Sequence, residues 1–166
     1  MSSTLTEANS NTSPKTDKHK SRRRIAREFV LQGVYQWRVA GGAANFIEQQ
    51  LRESEAFKHV DEKHFTNLLQ GVLKDVEGLE KCIQPCLDRP LNELSPVEFA
   101  ILLLSTFELM HHLEIPYRAI INEAIELART YGGSDGYKYV NGVLDKLAIQ
   151  LRAVEIAAPR MSRNQV

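Results

Sequence analysis

The chain of 166 residues is 43% hydrophobic and 25% charged, the balance of an ordinary globular protein and not of a disordered or fibrous one. At a length near 150 residues a core buries roughly two-thirds of the surface that the unfolded chain exposes, so no disulfide or metal is needed to hold it. The 21 basic and 21 acidic side chains cancel overall, but residues 1–28 hold seven Lys/Arg against three acids and residues 29–166 hold 14 against 18. Neutrality therefore hides a basic arm on an acidic body.

Residues 1–20 contain only Met1, Leu5 and Ala8 as apolar members. That is too little apolar surface to offset chain entropy, and it is not the apolar region of a signal peptide, so a disordered tail is expected here. The fold begins near Ser21 and reads as helices over roughly 22–40, 43–54, 61–84, 95–113, 116–131 and 134–154. No segment sustains the two-residue alternation of a strand, and an all-α protein is expected. Asp88-Arg89-Pro90 divides an N-terminal half, 21–88, from a C-terminal half, 90–154, and residues 155–166 read as a flexible tail.

On a wheel of the first helix, Ile25, Ala26, Phe29, Val30, Gly33 and Trp37 share one stripe, expected to face the core. Arg24, Arg27, Leu31, Tyr35 and Arg38 fall opposite. Directly upstream, Lys18, Lys20, Arg22 and Arg23 lengthen this basic row. Arginines neutralise phosphates and a tyrosine ring offers a platform for a base, so the row suits single-stranded nucleic acid. A lysine-rich tail followed by a solvated helix face is the plainer alternative.

Ser95-Pro96-Val97-Glu98 marks the start of the fourth helix, with a capping Ser, a Pro at the first helical position and a Glu that can reach back to the cap. This helix is apolar nearly all round, which makes it central. Its longest uncharged apolar stretch, Phe99 to Phe107, is about half of what a bilayer crossing requires. Glu108 interrupts the helix and is solvated at a rim, paired inside the fold or kept for a partner protein, because burying it unpaired is costly. His111 and His112 point about 100° apart on a helix and read as helix-end residues, not as a metal pair.

Pro116 opens the fifth helix, Gly132-Gly133 stops it, and Ser134 or Asp135 can cap the last. In that last helix Val140, Val143, Leu144, Leu147 and Leu151 form the buried stripe, Lys138, Gly142 and Lys146 point away, and Tyr139 lies at the edge. Lys138 and Tyr139 thus stand on a first turn whose dipole favours a phosphate, beside a glycine that leaves room for a stacked base. Asp135 repels a phosphate there unless it only caps the helix.

Catalytic signatures are missing. The glycine loop at 132–136 lacks the Gly-Lys-Ser/Thr ending of a P-loop, and no metalloprotease, hydrolase or dinucleotide string occurs. Cys82 and Cys86, four apart with no second ligand pair nearby, read as reduced packing residues, consistent with a cytoplasmic protein without metal or cofactor.

Three strings resemble the NusB family of bacterial transcription antitermination factors: Arg22-Arg23-Arg24 leading through Ala26-Arg27-Glu28 to Gln32, Tyr35 and Trp37; Ile120 to Ala128; and Tyr139 to Lys146. The resemblance runs from about residue 21 to about 150. It implies two fused helical bundles, no catalysis, and binding of boxA RNA together with NusE, a small ribosomal subunit protein. Such a complex loads onto RNA polymerase with other Nus factors and promotes transcription of ribosomal RNA operons. The resemblance carries RNA contacts to Arg23, Arg24, Arg27, Tyr35, Lys138 and Tyr139, with Arg22 in the same basic stripe. It assigns the tempering of RNA affinity to Asp135 and a NusE contact to Glu108. Ile25 stands where another member has a further arginine, so the basic stripe is not identical. The same domain occurs fused to ribosomal RNA cytosine methyltransferases, but the α/β domain such an enzyme needs does not fit in this chain; a helical protein-binding scaffold needs no arginine row beside a tyrosine.

Overall fold

The computed structural model describes residues 20–158; Lys18, the rest of the expected tail and residues 159–166 lie outside the described residues. Eight α-helices follow in order: α1 (Arg22–Ala40), α2 (Ala44–Arg52), α3 (Glu62–Lys74), α4 (Val76–Ile83), α5 (Pro96–His111), α6 (Tyr117–Tyr131), α7 (Gly136–Leu151) and α8 (Ala153–Ala157). Short 3₁₀ turns stand before α3 and between α4 and α5, and the described residues contain no strand. The expected all-α class is the observed one.

The hub is α5, whose residues Phe99 through Leu109 are all buried. Helices α1 and α3 pack on one side of it and α4, α6 and α7 on the other. The two groups share one apolar core, from Phe29, Phe57 and Phe65 to Leu127, Leu144 and Leu147. Its start is fixed as expected: Ser95 Oγ accepts from the Glu98 amide at 3.1 Å and the Glu98 carboxylate accepts from the Ser95 amide at 3.4 Å, while Pro96 supplies a preset φ.

Two boundaries depart from expectation. The span 61–84 is two helices, because Asp75 leaves helical geometry (φ −135°, ψ 46°) and its carboxylate accepts from the Gly78 amide at 3.2 Å, ending α3 and capping α4. The C-terminal stretch read as a tail from 155 begins instead with α8. Arg152, almost wholly buried, donates to the carbonyls of Leu109 at 2.7 Å, His112 at 2.9 Å and Ile115 at 3.0 Å, and pairs with Glu155, which also accepts from the Tyr117 amide at 3.0 Å. Leu109 is in the last turn of α5, where carbonyls lack a helical partner, and Ile115 lies in the connection beyond it. Arg152 satisfies both carbonyls and ties α8 to the α5–α6 connection.

Candidate nucleic-acid interface

The basic row begins where Ser21 caps α1, its hydroxyl accepting from the Arg24 amide at 3.1 Å. Lys20 Nζ lies 2.8 Å from Glu28, Arg22 donates to the Val60 carbonyl at 3.2 Å, and Arg23 Nε stands 3.7 Å from Asp61. Arg24 makes a two-pronged pair with Glu123 of α6, at 3.0 and 2.9 Å through Nε and Nη2. That hydrogen bonding raises its pKa further, against a smaller loss of hydration. All four cations keep solvent-exposed side-chain surface, so the fold holds them in place without consuming them.

Arg27 does not belong to that exposed row. It is 5% exposed, and Leu31 equally so, because α3 and α5 enclose α1 over an arc of about 200° on the helical wheel. The buried set is Ala26, Arg27, Phe29, Val30, Leu31, Gly33 and Val34, whereas Ile25 and Trp37 of the expected core stripe are only partly covered. Arg27 reaches α5 and donates to both oxygens of Glu108, at 2.7 and 2.8 Å. Glu108 is itself 1% exposed, and His64 Nε2 approaches its second oxygen at 3.5 Å. Burial alone pushes the Glu108 carboxyl up, but the hydrogen bonds and charges of Arg27 and His64 outweigh it and hold the group below the ordinary carboxylate range. Of the three readings of Glu108, pairing inside the fold is the one observed, and the partner contact expected from the resemblance is corrected accordingly. Arg27 is likewise corrected from a surface cation to half of a buried ion pair.

Tyr35 is 41% exposed and lines a groove of about 560 Å³ along α1, together with Lys20, Ile25, Phe29, Val97 and Tyr131. Tyr131, at the end of α6, was not singled out in the sequence. Its position before Gly132-Gly133, where a helix surface runs out, is the only signal it carries there. The groove is chiefly apolar with a lysine at its rim, a surface on which bases stack and a backbone finds a counter-charge.

Across the N-terminal turn of α5 lies the second aromatic. Val97 lines the Tyr35 groove, while a side chain at Gly136, the first residue of α7, would come within 3.1 Å of Glu98. Three residues on, Tyr139 is half-buried at the edge of α7, and Lys138 beside it is exposed. Apart from its own stretch of α7, no atom lies within 4 Å of where a Cβ would stand on Gly142, so that part of the helix surface is open. Asp135 occupies the position before α7 but does not cap it; its carboxylate makes no bond to the helix amides and sits 3.5 Å from Lys138 Nζ, both exposed. The expected cap is therefore replaced by a surface ion pair. Arg89, read in the sequence only as part of a seam, stacks its guanidinium 4.2 Å from the centre of the Tyr139 ring. Fifty residues separate the two, so no local pattern announces the contact.

His112, at the end of α5, is hydrogen-bonded through Nδ1 to Glu114 at 2.9 Å and through Nε2 to Asn67 of α3 at 2.6 Å. No group of three or more His, Cys, Asp or Glu among the described residues is arranged to hold a metal ion. No helix among them is long and apolar enough to cross a membrane.

Among the described residues, an all-helical body sets arginines and tyrosines on its surface, an arrangement that suits the class of helical adaptors for a nucleic acid. The chain belongs to the NusB family, whose model matches residues 24–149. It is 67% identical over 132 residues to the transcription antitermination protein NusB of Nitrosospira multiformis, covering 80% of this chain and 84% of that one. Among solved structures, T. maritima NusB superposes with a TM-score of 0.69 at 28% identity, over 78% of this chain and 91% of that one. The fold is also that of a crystal structure of antitermination factors NusB and NusE in complex with dsRNA, with a TM-score of 0.66 at 20% identity over 76% and 95% of the two chains.

Proposed function

We propose that this protein is a cytoplasmic transcription antitermination factor that binds boxA RNA together with NusE and promotes transcription of ribosomal RNA operons, acting by binding and not by catalysis. The observation that carries the reading is the surface from Lys20 and Arg24 along the Tyr35 groove, past the start of α5, to Lys138 and Tyr139, with Arg23 exposed on the other side of α1 beside Asp61. Cations at one end and aromatic faces at intervals match what single-stranded RNA offers, a charged backbone with separable π-faces. Membership of a family whose members are named antitermination proteins, and a shared fold with a NusB that was crystallised with NusE and RNA, support the same assignment.

In this reading Arg22, Arg23 and Arg24 meet phosphates, and bases are stacked at the Tyr35 and Tyr139 sites. Lys138 neutralises backbone while Asp135 opposes it. Arg27 and Glu108 serve from inside: their ion pair fixes α1 against α5 and so holds the arginine row and the groove in register. NusE then binds through surface other than the Glu108 carboxylate, and contact with RNA polymerase and other Nus factors follows from that complex.

The test is a titration of boxA and scrambled RNA, with and without NusE, at two salt concentrations. Expected are tighter binding of boxA when NusE is present and a steep loss of affinity with salt from counterion release. Equal binding of both RNAs in the presence of NusE refutes the boxA assignment, and salt-independent or absent binding refutes the RNA reading altogether.

A further inference from the structure

What an incoming RNA meets at the second aromatic site is not a bare tyrosine. The Arg89 guanidinium stands 4.2 Å from the ring centre of Tyr139, and its Nε donates to Asp88 at 2.9 Å. Both Asp88 and Arg89 lie on the exposed segment between α4 and α5, and the Arg89 side chain keeps 42% of its surface open to solvent. The Tyr139 hydroxyl is buried without a hydrogen-bond partner, so the far end of the ring is enclosed by the fold while its face meets Arg89. A guanidinium is planar and carries π-density on both faces, so one face can lie on tyrosine while the other receives a base.

We infer that Arg89 is a further RNA-binding residue, forming a Tyr139–Arg89–base stack in which tyrosine orients the guanidinium and the guanidinium, not the ring, contacts the nucleic acid. Three features of the site favour this over a cover that RNA must push aside. The cation is attracted to the polyanion and gains from its approach. Asp88 engages Nε from the edge of the plane, and 42% of the Arg89 side chain stays open to solvent. Gly142, one turn further along α7, presents no side chain and has open space around it. Lys138 on the same turn supplies a second positive charge for the flanking phosphate.

The inference rests on RNA binding at Tyr139 as proposed above, and the experiment separates the two. Affinity for a fluorescently labelled single-stranded boxA RNA, and its slope against salt, are measured for the full chain and for Arg89→Ala, Arg89→Lys, Tyr139→Ala and Arg89→Ala/Tyr139→Ala. Thermal melting accompanies each variant. Arg89→Ala is expected to bind roughly fivefold to tenfold more weakly, in the lower range of single stacking contacts, with an unchanged melting temperature. Arg89→Lys restores the charge but not the plane, and recovers the salt slope with only part of the affinity. In the Tyr139→Ala background the Arg89→Ala effect shrinks to less than half. Tyr139→Ala binding like the parent refutes the RNA contact at Tyr139 itself. Weakened Tyr139→Ala beside an unchanged or tighter Arg89→Ala refutes only the Arg89 assignment, and tighter binding identifies Arg89 as a cover. An Arg89→Ala effect that persists in full without the ring refutes the stacked arrangement.

Discussion

Truncating Glu108 to alanine removes a carboxylate that accepts both hydrogen bonds of a buried arginine, at 2.7 and 2.8 Å, and leaves Arg27, 5% exposed, without a counter-charge. Breaking such a pair from one side costs about 3–5 kcal/mol, because the orphaned ion has lost its hydration and gains nothing in exchange. For a domain of this size that lowers the melting temperature by on the order of 10 °C. The linkage has a definite sign. The Glu108 carboxyl titrates below its ordinary range in the folded protein, since hydrogen bonds and charge from Arg27 and His64 outweigh its burial. Its contribution is therefore complete above the unfolded-state pKa of about 4.3 and disappears as pH falls through the folded value. Urea unfolding of the parent and of Glu108→Ala at neutral pH, and again at about pH 3, reads both effects. The difference between the two proteins is expected to be large at neutral pH and to narrow on acidification. Replacing the pair jointly, Arg27→Met with Glu108→Leu, is expected to restore most of the lost stability, because two apolar side chains need no partner. A neutral-pH cost below about 1 kcal/mol, the range of an exposed pair, refutes the buried-pair account and returns Glu108 to the surface.

Tyr35→Ala removes a half-exposed ring and is expected to weaken RNA binding by about 1–3 kcal/mol with little change in melting temperature; a large fall in stability refutes its role as a platform. Asp135→Asn leaves α7 intact, since its carboxylate caps no amide, and is expected to tighten RNA binding in a fluorescence titration by removing charge repulsion next to Lys138. Arg152→Ala orphans the buried carbonyls of Leu109 and Ile115, and its expected cost is more than about 2 kcal/mol, measured by chemical denaturation. Faster amide exchange in α8 and the α5–α6 connection is expected to accompany that loss.

The sequence by itself determined the helical class, the centrality of α5 and the capping box that starts it, because apolar periodicity and cap chemistry are local properties that four to twenty residues express completely. It also separated a basic arm from an acidic body, since charge is counted along the chain. What it could not determine is which arc of α1 is buried. A helical wheel orders side chains around one axis, but the number of helices packed against that axis decides how much of the wheel is core. With α3 and α5 both against α1, the covered arc widened to include Arg27 and Leu31, and a residue placed in a surface row became the partner of Glu108, 81 positions away. Asp75 ended one helix and began another through its own carboxylate, a switch that periodicity alone passes over. Arg89 on Tyr139, Arg152 under the end of α5 and Tyr131 in the Tyr35 groove are long-range meetings of the same kind. Ion pairs and stacks between distant residues leave no trace in either neighbourhood, so only the folded chain brings them together.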